Sequence, residues 1–348
     1  FSARWTGKYL FRDGGTYRFV TDTDQGVRLW VDGVLVIDKW AQQNSKQQKV
    51  IKLKAGLHTI KMEYFDSWSV ARAKLNWEKL LECTATPENQ LCGEFYATTD
   101  FSGDVADVML ADQINFDWAG AAPSSFVPSD RFTVRWTGNV RFEKGLYRLL
   151  TDVDDGIKVW VDDKLLIDAW SLKAPLYGKQ RLLTNMTAGL HKIKVEYLEN
   201  TGNAKAKIWW EKTPDCSTEI PQGKFCASFY NTKDLTGQVI ETRYDDAINF
   251  DWKNTSPQTG INADNFSIRW QGKFEFAEGE YTFMAKSDDG FRLWVDGQLL
   301  VDAWKLQSAT SYTKPIFLTG GLHTVKAEYY EASGAAVAQM SWKALSTQ

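Results

Sequence analysis

The chain has 348 residues, and its 41 lysines and arginines nearly balance its 44 aspartates and glutamates, which leaves a formal net charge of −3. It has no basic block and no acidic tail, so the composition argues against nucleic acid as a partner. No apolar run approaches the roughly 18 to 20 residues that a spanning helix needs, so no membrane span is predicted in this chain.

One stretch of sequence occurs three times along the chain. The copies are DTDQGVRLWVDGVLVIDKW at 22–40, DVDDGIKVWVDDKLLIDAW at 152–170 and SDDGFRLWVDGQLLVDAW at 287–304. A second marker agrees, because the Gly-Leu-His motif places His58, His191 and His323 at separations of 133 and 132 residues. Solenoid units are about 20 to 50 residues long, so this period predicts tandem globular domains.

The period divides the chain into three repeats, numbered here in chain order: residues 1–80, 81–213 and 214–348. Repeats two and three open with a leader, Cys83–Arg131 and Cys216–Asn265, that contains the motif INFDW and has no counterpart in repeat one. We therefore expect repeat one to lack its N-terminal strands. Either the chain is a piece of a longer protein, or a neighbouring chain supplies a strand to the open sheet edge.

Strand patterns run through every repeat. Short runs of β-branched and aromatic residues are broken by glycine and by turn dipeptides such as Asp32-Gly33, which is typical of a type I′ hairpin. The stretches HTIKMEYF and HKIKVEYL alternate between two faces, as half-buried antiparallel strands do. With 16 Trp, 13 Tyr and 19 Phe, each repeat can fill a core between two sheets. The predicted fold is all-β: three tandem antiparallel β-sandwich domains, the first lacking its N-terminal strands.

The four cysteines form two local pairs, Cys83 with Cys92 and Cys216 with Cys226, each at the start of a leader. Zinc sites favour shorter spacings and nearby histidine, so disulfides are the better interpretation. Disulfides indicate an oxidising compartment, and therefore an extracellular or cell-surface protein. Three Asn-X-Ser/Thr sequons, at Asn185, Asn254 and Asn265, would suit a secreted glycoprotein.

The ordered motifs carry a family likeness. The series RWxG, GxYx[FL], DDG[IF][KR][VL]WVD, [LV][IV]DxW, GLHx[IV]K and EY recurs in register. It resembles the family named for the fourteen-kilodalton domain of anthrax protective antigen, over nearly the whole chain. The resemblance implies a β-sandwich that occurs in toxins, in accessory domains of glycosidases and in adhesins, so it does not select one function.

The resemblance also implies a site. In the lectin-like adhesins of this family, two adjacent aspartates joined by a cis peptide hold a calcium ion that binds neighbouring sugar hydroxyls. The matching pairs are Asp154-Asp155 and Asp288-Asp289, whereas repeat one has Asp24-Gln25 and so loses a carboxylate. Calcium prefers several hard oxygen ligands, which two adjacent carboxylates supply.

The family's lectins add an asparagine from a loop after the EY motif. Only repeat two offers asparagines there, Asn200 and Asn203. We therefore predict calcium and glycan binding in repeat two, and in repeat three through Asp288 and Asp289 alone. The alternative is that Asp-Asp-Gly is simply a tight-turn sequence.

Catalysis is not expected within this chain. The three Gly-Leu-His histidines have no nucleophile motif near them and are interpreted as structural. Asp168 with Trp170, and the matching pairs of the other repeats, occur even where the site is altered, which favours a role in the fold. Glu196 and Glu328 have no predicted partner carboxylate at glycosidase spacing.

Two functions remain open at this point. The first is an extracellular, non-catalytic array that binds glycans through calcium and acts in adhesion, where repetition would raise avidity. The second is a structural stalk or filament of identical chains, in which a neighbouring chain completes repeat one.

Overall fold

The computed structural model describes residues 1–41, 45–68, 70–170, 181–218 and 220–345. Within these residues the only helix is a three-residue 3₁₀ turn at Cys83–Ala85, and the regular structure is otherwise β. The chain divides into two compact units: one comprises Phe1–Phe142, Thr151–Gln180 and Gly189–Trp209, and the other comprises Glu143–Leu150, Arg181–Ala188 and Trp210–Gln348. The predicted all-β fold of three tandem sandwiches is confirmed.

The strands are numbered along the described chain. Repeat one contains β1 (Ser2–Phe11), β2 (Gly15–Thr23), β3 (Val27–Val31), β4 (Val34–Lys39), β5 (Ser45–Leu53), β6 (Gly56–Phe65) and β7 (Ala73–Lys79). Repeat two contains β8 (Leu91–Tyr96), β9 (Val105–Ala111), β10 (Ile114–Ala119), β11 (Phe132–Phe142), β12 (Gly145–Val153), β13 (Gly156–Val161), β14 (Lys164–Ala169), β15 (Arg181–Met186), β16 (Gly189–Glu199) and β17 (Ala204–Thr213). Repeat three contains β18 (Phe225–Tyr230), β19 (Glu241–Asp245), β20 (Ile248–Lys253), β21 (Phe266–Phe276), β22 (Gly279–Ser287), β23 (Gly290–Val295), β24 (Gln298–Ala303), β25 (Thr310–Leu318), β26 (Gly321–Glu331) and β27 (Ala336–Ala344).

Each repeat has two antiparallel sheets. In repeats two and three the first sheet has six strands, in the orders β14-β13-β16-β11-β8-β9 and β19-β18-β21-β26-β23-β24. The second sheets have the orders β10-β17-β12-β15 and β20-β27-β22-β25. Repeat one has only β1-β6-β3-β4 and β5-β2-β7. The difference is the three leader strands, β8–β10 in repeat two and β18–β20 in repeat three, which have no counterpart among the described residues of repeat one.

The tryptophan of the RWxG motif shows what the leader covers. Trp136 in β11 and Trp270 in β21 are fully buried, and the ring nitrogen of Trp270 donates to Asp245 Oδ2 at 2.8 Å. Trp5 occupies the matching position on β1, which is an edge strand, and it is 51% exposed. The leader strands therefore form one wall of the aromatic core in the repeats that have them.

The glycine of the same motif is explained by close backbone approach. A Cβ added at Gly138 would lie 2.1 Å from the carbonyl oxygen of Gln90, and one added at Gly272 would lie 2.4 Å from that of Lys224. Both carbonyls belong to the leaders: Gln90 lies immediately before β8, and Lys224 lies immediately before β18. Only glycine leaves room for the leader backbone at this point.

The type I′ turn predicted at Asp32-Gly33 is present, with φ of +50° and +79° at its two central residues. Asp32 uses both carboxylate oxygens across the sheet: Oδ1 accepts the backbone N–H of Thr59 at 2.8 Å, and Oδ2 lies 2.5 Å from His58 Nδ1. His58 Nε2 lies 2.8 Å from the carbonyl oxygen of Lys54. The same pairing occurs at His191 with Asp162 (2.6 Å) and at His323 with Asp296 (2.5 Å). These contacts give the histidines a structural role.

Two disulfides, Cys83–Cys92 and Cys216–Cys226, close the start of each leader, as predicted. The described part of the chain has no helix of the length and apolar character needed to span a membrane. The disulfides are compatible with an extracellular location.

Candidate metal and glycan site

Three acidic side chains meet at one end of repeat three. Asp288 and Asp289 lie in the turn between β22 and β23, and Glu331 is the last residue of β26. One carboxylate oxygen from each lies within 4.8 Å of the others, and Glu331 is fully buried. The sequence predicted the aspartate pair but did not identify the glutamate.

The Asp289 carboxylate is fixed by backbone donors. Its Oδ2 accepts the N–H of Ala332 at 2.8 Å, and its Oδ1 accepts the N–H of Gln307 at 3.3 Å. The Gln307 side chain donates to the Asp289 carbonyl at 2.9 Å and accepts the hydroxyl of Tyr312 at 2.6 Å. Asp289 has a φ of +53°, which asparagine and aspartate tolerate better than most residues. The turn is therefore held in one conformation by the loop that follows β24.

Glu331 has an incomplete set of partners. Its Oε2 accepts the hydroxyl of Tyr329 at 2.7 Å, whereas the buried Oε1 has no hydrogen-bond partner in the described part of the chain. Burial, together with the negative charges of Asp289 and Asp288, raises the pKa of Glu331 to about 7. Burial, with the charge of Asp289, also raises the pKa of Asp288. A buried acceptor without a donor, beside two like charges, is a costly arrangement that a cation would relieve.

Repeat two carries the matching residues Asp154, Asp155 and Glu199. Asp154 Oδ1 accepts the Lys205 backbone N–H at 2.9 Å and lies 2.8 Å from the Tyr197 hydroxyl, which is also 2.7 Å from Glu199 Oε2. Asp154 Oδ2 and Glu199 Oε1 are buried and have no hydrogen-bond partner among the residues that the structure describes. Burial raises the pKa of Glu199 to about 8 and raises that of Asp154. Among the described residues the close three-carboxylate cluster occurs in repeat three, not here.

The two candidate asparagines of repeat two differ in position. The backbone N–H of Asn200 donates to Asp155 Oδ2 at 2.8 Å, so Asn200 occupies the position of Ala332 in repeat three. The side chain of Asn203 is exposed. The contact that the structure provides between this loop and the aspartate pair is therefore a backbone contact, which does not require asparagine.

Repeat one fills the same position with its own amide. Gln25 Oε1 accepts the backbone N–H of Ser67 at 3.0 Å and its hydroxyl at 2.7 Å, and Gln25 Nε2 donates to the carbonyl of Trp68 at 3.0 Å. Asp24 Oδ1 accepts the hydroxyl of Tyr64 at 2.6 Å and the backbone N–H of Arg72 at 2.9 Å. Because the glutamine supplies both a donor and an acceptor, this loop is satisfied without a cation.

One expectation drawn from the resemblance is wrong. The described peptide bonds are all trans, including those of Asp154-Asp155 and Asp288-Asp289. In repeat three the left-handed conformation of Asp289, together with its backbone donors, aims its carboxylate instead.

The two glutamates of the EY motif pair with arginines. Arg135 Nε donates to Glu196 and Arg269 Nε to Glu328, each at 2.9 Å across neighbouring strands. The sequons at Asn185, Asn254 and Asn265 are all on exposed residues.

In repeat three Trp304 packs edge-on against Tyr330, with ring centroids 4.8 Å apart, and the Arg292 guanidinium lies 4.6 Å from the centre of the Trp304 ring.

The residues present fit a hard cation. Asp288, Asp289 and Glu331 offer only oxygen ligands, two of the three residues are buried, and one carboxylate oxygen has no other partner. Calcium and other hard divalent ions favour such a set, and softer metals favour sulfur or imidazole.

The missed glutamate has a signal in the sequence. Glu199 and Glu331 follow Tyr197 and Tyr329 by two residues, so in a strand they point to the same side as those tyrosines. The alternation of β16 and β26 directs that side into the core. An acid at an inward position of an amphipathic strand is the pattern that would have found it.

The fold and the site together define a class: tandem β-sandwiches with an acidic loop cluster at one end. The chain belongs to the PA14 domain family, which matches residues 1–84, 87–224 and 221–347. A curated relative, the anti-sigma-I factor RsgI3 of Acetivibrio thermocellus, is 32% identical over 273 residues, which cover 72% of this chain and 42% of the relative. The chain thus spans less than half of that protein.

Two solved structures are also similar. An anti-sigma factor domain-containing protein from Clostridium clariflavum is 28% identical, with a TM-score of 0.34, over 73% of this chain and 94% of that one. A PA14 sugar-binding domain from an RTX adhesin is 19% identical, with a TM-score of 0.31, over 36% of this chain and 91% of that one.

Proposed function

We propose that this protein is a non-catalytic, calcium-dependent carbohydrate-binding array that acts outside the cell. The observation that carries the proposal is the cluster of Asp288, Asp289 and Glu331, in which a buried carboxylate oxygen has no hydrogen-bond partner among the described residues. The family contains sugar-binding adhesin domains, which gives the cluster a functional context.

In repeat three, Asp288, Asp289 and Glu331 would hold the ion. A bound calcium ion supplies an electrophilic centre with open coordination positions, which suits the hydroxyls of a sugar. The protein's own part is positioning: the backbone N–H groups of Ala332 and Gln307 hold Asp289, and Tyr329 holds one oxygen of Glu331. Carboxylates that are already ordered lose little conformational freedom on binding.

The exposed surface beside this loop is also suited to a sugar. Trp304 is partly exposed and is held in place by Tyr330 and Arg292. Apolar faces of sugar rings pack on aromatic rings, and flat aromatic contacts add affinity at a low entropic cost. We therefore place the glycan between the carboxylate turn and this tryptophan.

Repeat two is the second proposed site, through Asp154, Asp155 and Glu199. Its buried unpartnered oxygens on Asp154 and Glu199 favour a cation for the same reason as in repeat three. We propose no site in repeat one, because Gln25 already satisfies its own loop.

The first test is calcium titration calorimetry on the full chain with its disulfides intact. We expect two ions per chain, with Asp289→Asn removing one and Asp154→Asn removing the other. Asp302→Asn is the matched control, since Asp302 is an exposed carboxylate of repeat three that pairs with Arg292 outside the cluster. The control should keep both ions.

Glycan binding is then measured on an array of polysaccharides, with calcium and with a chelator. Signal that requires calcium and is reduced by Asp289→Asn supports the proposal. The absence of calcium binding at millimolar concentration would refute the metal site, and glycan binding that survives the chelator would refute the calcium mechanism alone.

A further inference from the structure

A buried arginine joins repeat one to the leader of repeat two. Arg18, on β2, is 4% exposed. Within its own repeat it pairs with Glu78 on β7, with Nε and Nη2 at 2.8 and 2.6 Å from the same carboxylate oxygen. Its Nη1 crosses to the leader, where it donates to the carbonyl of Ala106 at 2.8 Å and to Asp107 Oδ1 at 3.1 Å.

The guanidinium also has an aromatic partner from the leader. The Arg18 carbon Cζ lies 3.6 Å from the centre of the Phe126 ring. A cation over an aromatic face gains electrostatic attraction that grows as water is excluded, and arginine can use its edge for hydrogen bonds at the same time. Three residues of the leader, Ala106, Asp107 and Phe126, thus contact one side chain of repeat one.

The same contact is built a second time further along the chain. Arg148, on β12, pairs with Glu211 Oε2 at 3.0 Å and with Glu241 on β19, in the leader of repeat three. Next to it, Thr213 Oγ1 donates to the Thr242 carbonyl at 3.1 Å. An arginine, a glutamate on the neighbouring strand and an acid on the next leader therefore recur together.

Strand register shows that the two contacts use matching positions. Asp107 pairs with Phe95 and Glu241 pairs with Phe229, and these phenylalanines belong to the shared Phe-Tyr motif of the two leaders. In each case the acid also accepts the backbone N–H of the residue after it. The acid is thus held by its own strand while it faces the arginine of the preceding repeat.

Repeat three shows that the sandwich itself does not need the pair. Thr282 on β22 lies opposite Lys343 on β27, in the register that Arg18 and Glu78 have on β2 and β7. Repeat three has a complete core with this threonine and lysine. A buried arginine costs free energy to desolvate, so its presence at this position calls for a function beyond the fold of one domain.

We infer that the arginine on the second sheet is a docking residue for the leader of a following PA14 repeat, and that the acid at the position of Asp107 and Glu241 is its receptor. The partner is defined by its chemistry: a leader strand that presents an acid held by its own backbone, with a carbonyl or an aromatic ring beside it. In repeats one and two this contact fixes one domain against the next.

The test measures, in the full chain, how rigidly repeat one is held against repeat two. Val34→Cys and Lys164→Cys place spin labels at matching, exposed hairpin positions of the two repeats, and the native cysteines are all in disulfides. Pulsed electron resonance then gives the distribution of label separations. We expect a narrow distribution in the parent chain and at least a twofold broader one in Arg18→Met.

Asp107→Asn is the second variant, since it alters the receptor and leaves repeat one untouched. It should broaden the distribution as well, and the double variant should be no broader than the broader single one. Arg135→Met is the matched control, because it removes an arginine–glutamate pair that lies wholly within repeat two. The control should leave the width unchanged.

The outcomes separate docking from general stability. Circular dichroism first establishes that each variant is folded. An unchanged width in folded Arg18→Met and Asp107→Asn would overturn the inference, and so would equal broadening by Arg135→Met. If Arg18→Met does not fold, Asp107→Asn decides alone, and a parent-like width in it would overturn the inference.

Discussion

Glu331→Gln should stabilise repeat three when calcium is absent and should remove most of the stability that calcium adds. In the calcium-free protein, the buried Glu331 carboxylate has an oxygen without a donor and faces two aspartates. Glutamine keeps an acceptor for the Tyr329 hydroxyl and replaces the unpartnered oxygen by an amide that can donate toward Asp288 or Asp289. We therefore expect the variant to be more stable than the parent when calcium is absent.

The size of the expected stabilisation follows from the unsatisfied oxygen of Glu331. Leaving a buried acceptor unsatisfied costs about 1–3 kcal/mol, so the variant should gain roughly that amount in a chelator. For a domain of this length, 1 kcal/mol corresponds to a shift in Tm of about 3–5 °C. The parent, in contrast, should gain about 2.7 kcal/mol from calcium at a hundred times its Kd, and the variant should gain almost nothing.

Calorimetric melting of the full chain at pH 8, in a chelator and in millimolar calcium, measures both effects. Hydrogen exchange of β26 assigns the change to repeat three. Asp302→Asn serves as the control, since it removes an acid from the same repeat outside the cluster. A variant that is less stable than the parent in the chelator, or that gains as much from calcium as the parent does, would refute the argument.

Other predictions concern the fold. Trp270→Ala should lose about 3–5 kcal/mol of unfolding free energy in a urea titration, and Trp5→Ala should lose less than about 1 kcal/mol, because only Trp270 is buried; similar losses would contradict the role of the leader. Hydrogen bonding to Asp296 raises the pKa of His323, so this contact stabilises fully below the unfolded pKa of about 6.5 and is lost as pH rises through the folded value. Melting above pH 6.5 should show a loss of stability that is smaller in Asp296→Asn. Replacing both cysteines of the Cys216–Cys226 disulfide by serine should cost about 3 kcal/mol for its short loop, measured with urea; no loss would contradict the chain-entropy estimate.

The fold could be predicted because its signals are local. The turn at Asp32-Gly33 requires two positive φ angles, and the pair Asp-Gly is typical of such turns. The sheet order could not be predicted, because pairings such as Trp136 opposite Gly93 join residues far apart in the chain. A short window of sequence does not indicate which distant strand pairs with the strand it encodes.

The site was half predicted for a similar reason. The aspartate pair is contiguous and therefore visible, whereas Glu331 reaches the pair from a strand 42 residues later than Asp289. The motif also led to an asparagine in repeat two, although the structure meets Asp155 there with a backbone N–H. A backbone donor leaves no trace in residue type, so only the fold reveals it.

The three repeats share the residues that the sandwich needs and differ at positions where the sandwich folds with either residue. The turn that is Asp-Asp in two repeats has Gln25 in the first, and its amide bonds to Ser67 and Trp68 of the loop between β6 and β7. The position of Arg18 is filled by threonine in repeat three, without loss of a complete core. Since the fold tolerates either residue at each position, we propose that the choice reflects a requirement outside the single domain: a ligand at the turn and a neighbouring repeat at the second sheet. The three repeats can thus be compared as natural variants of one another. Residues that they share indicate what the fold requires, and residues that differ indicate candidate functional positions.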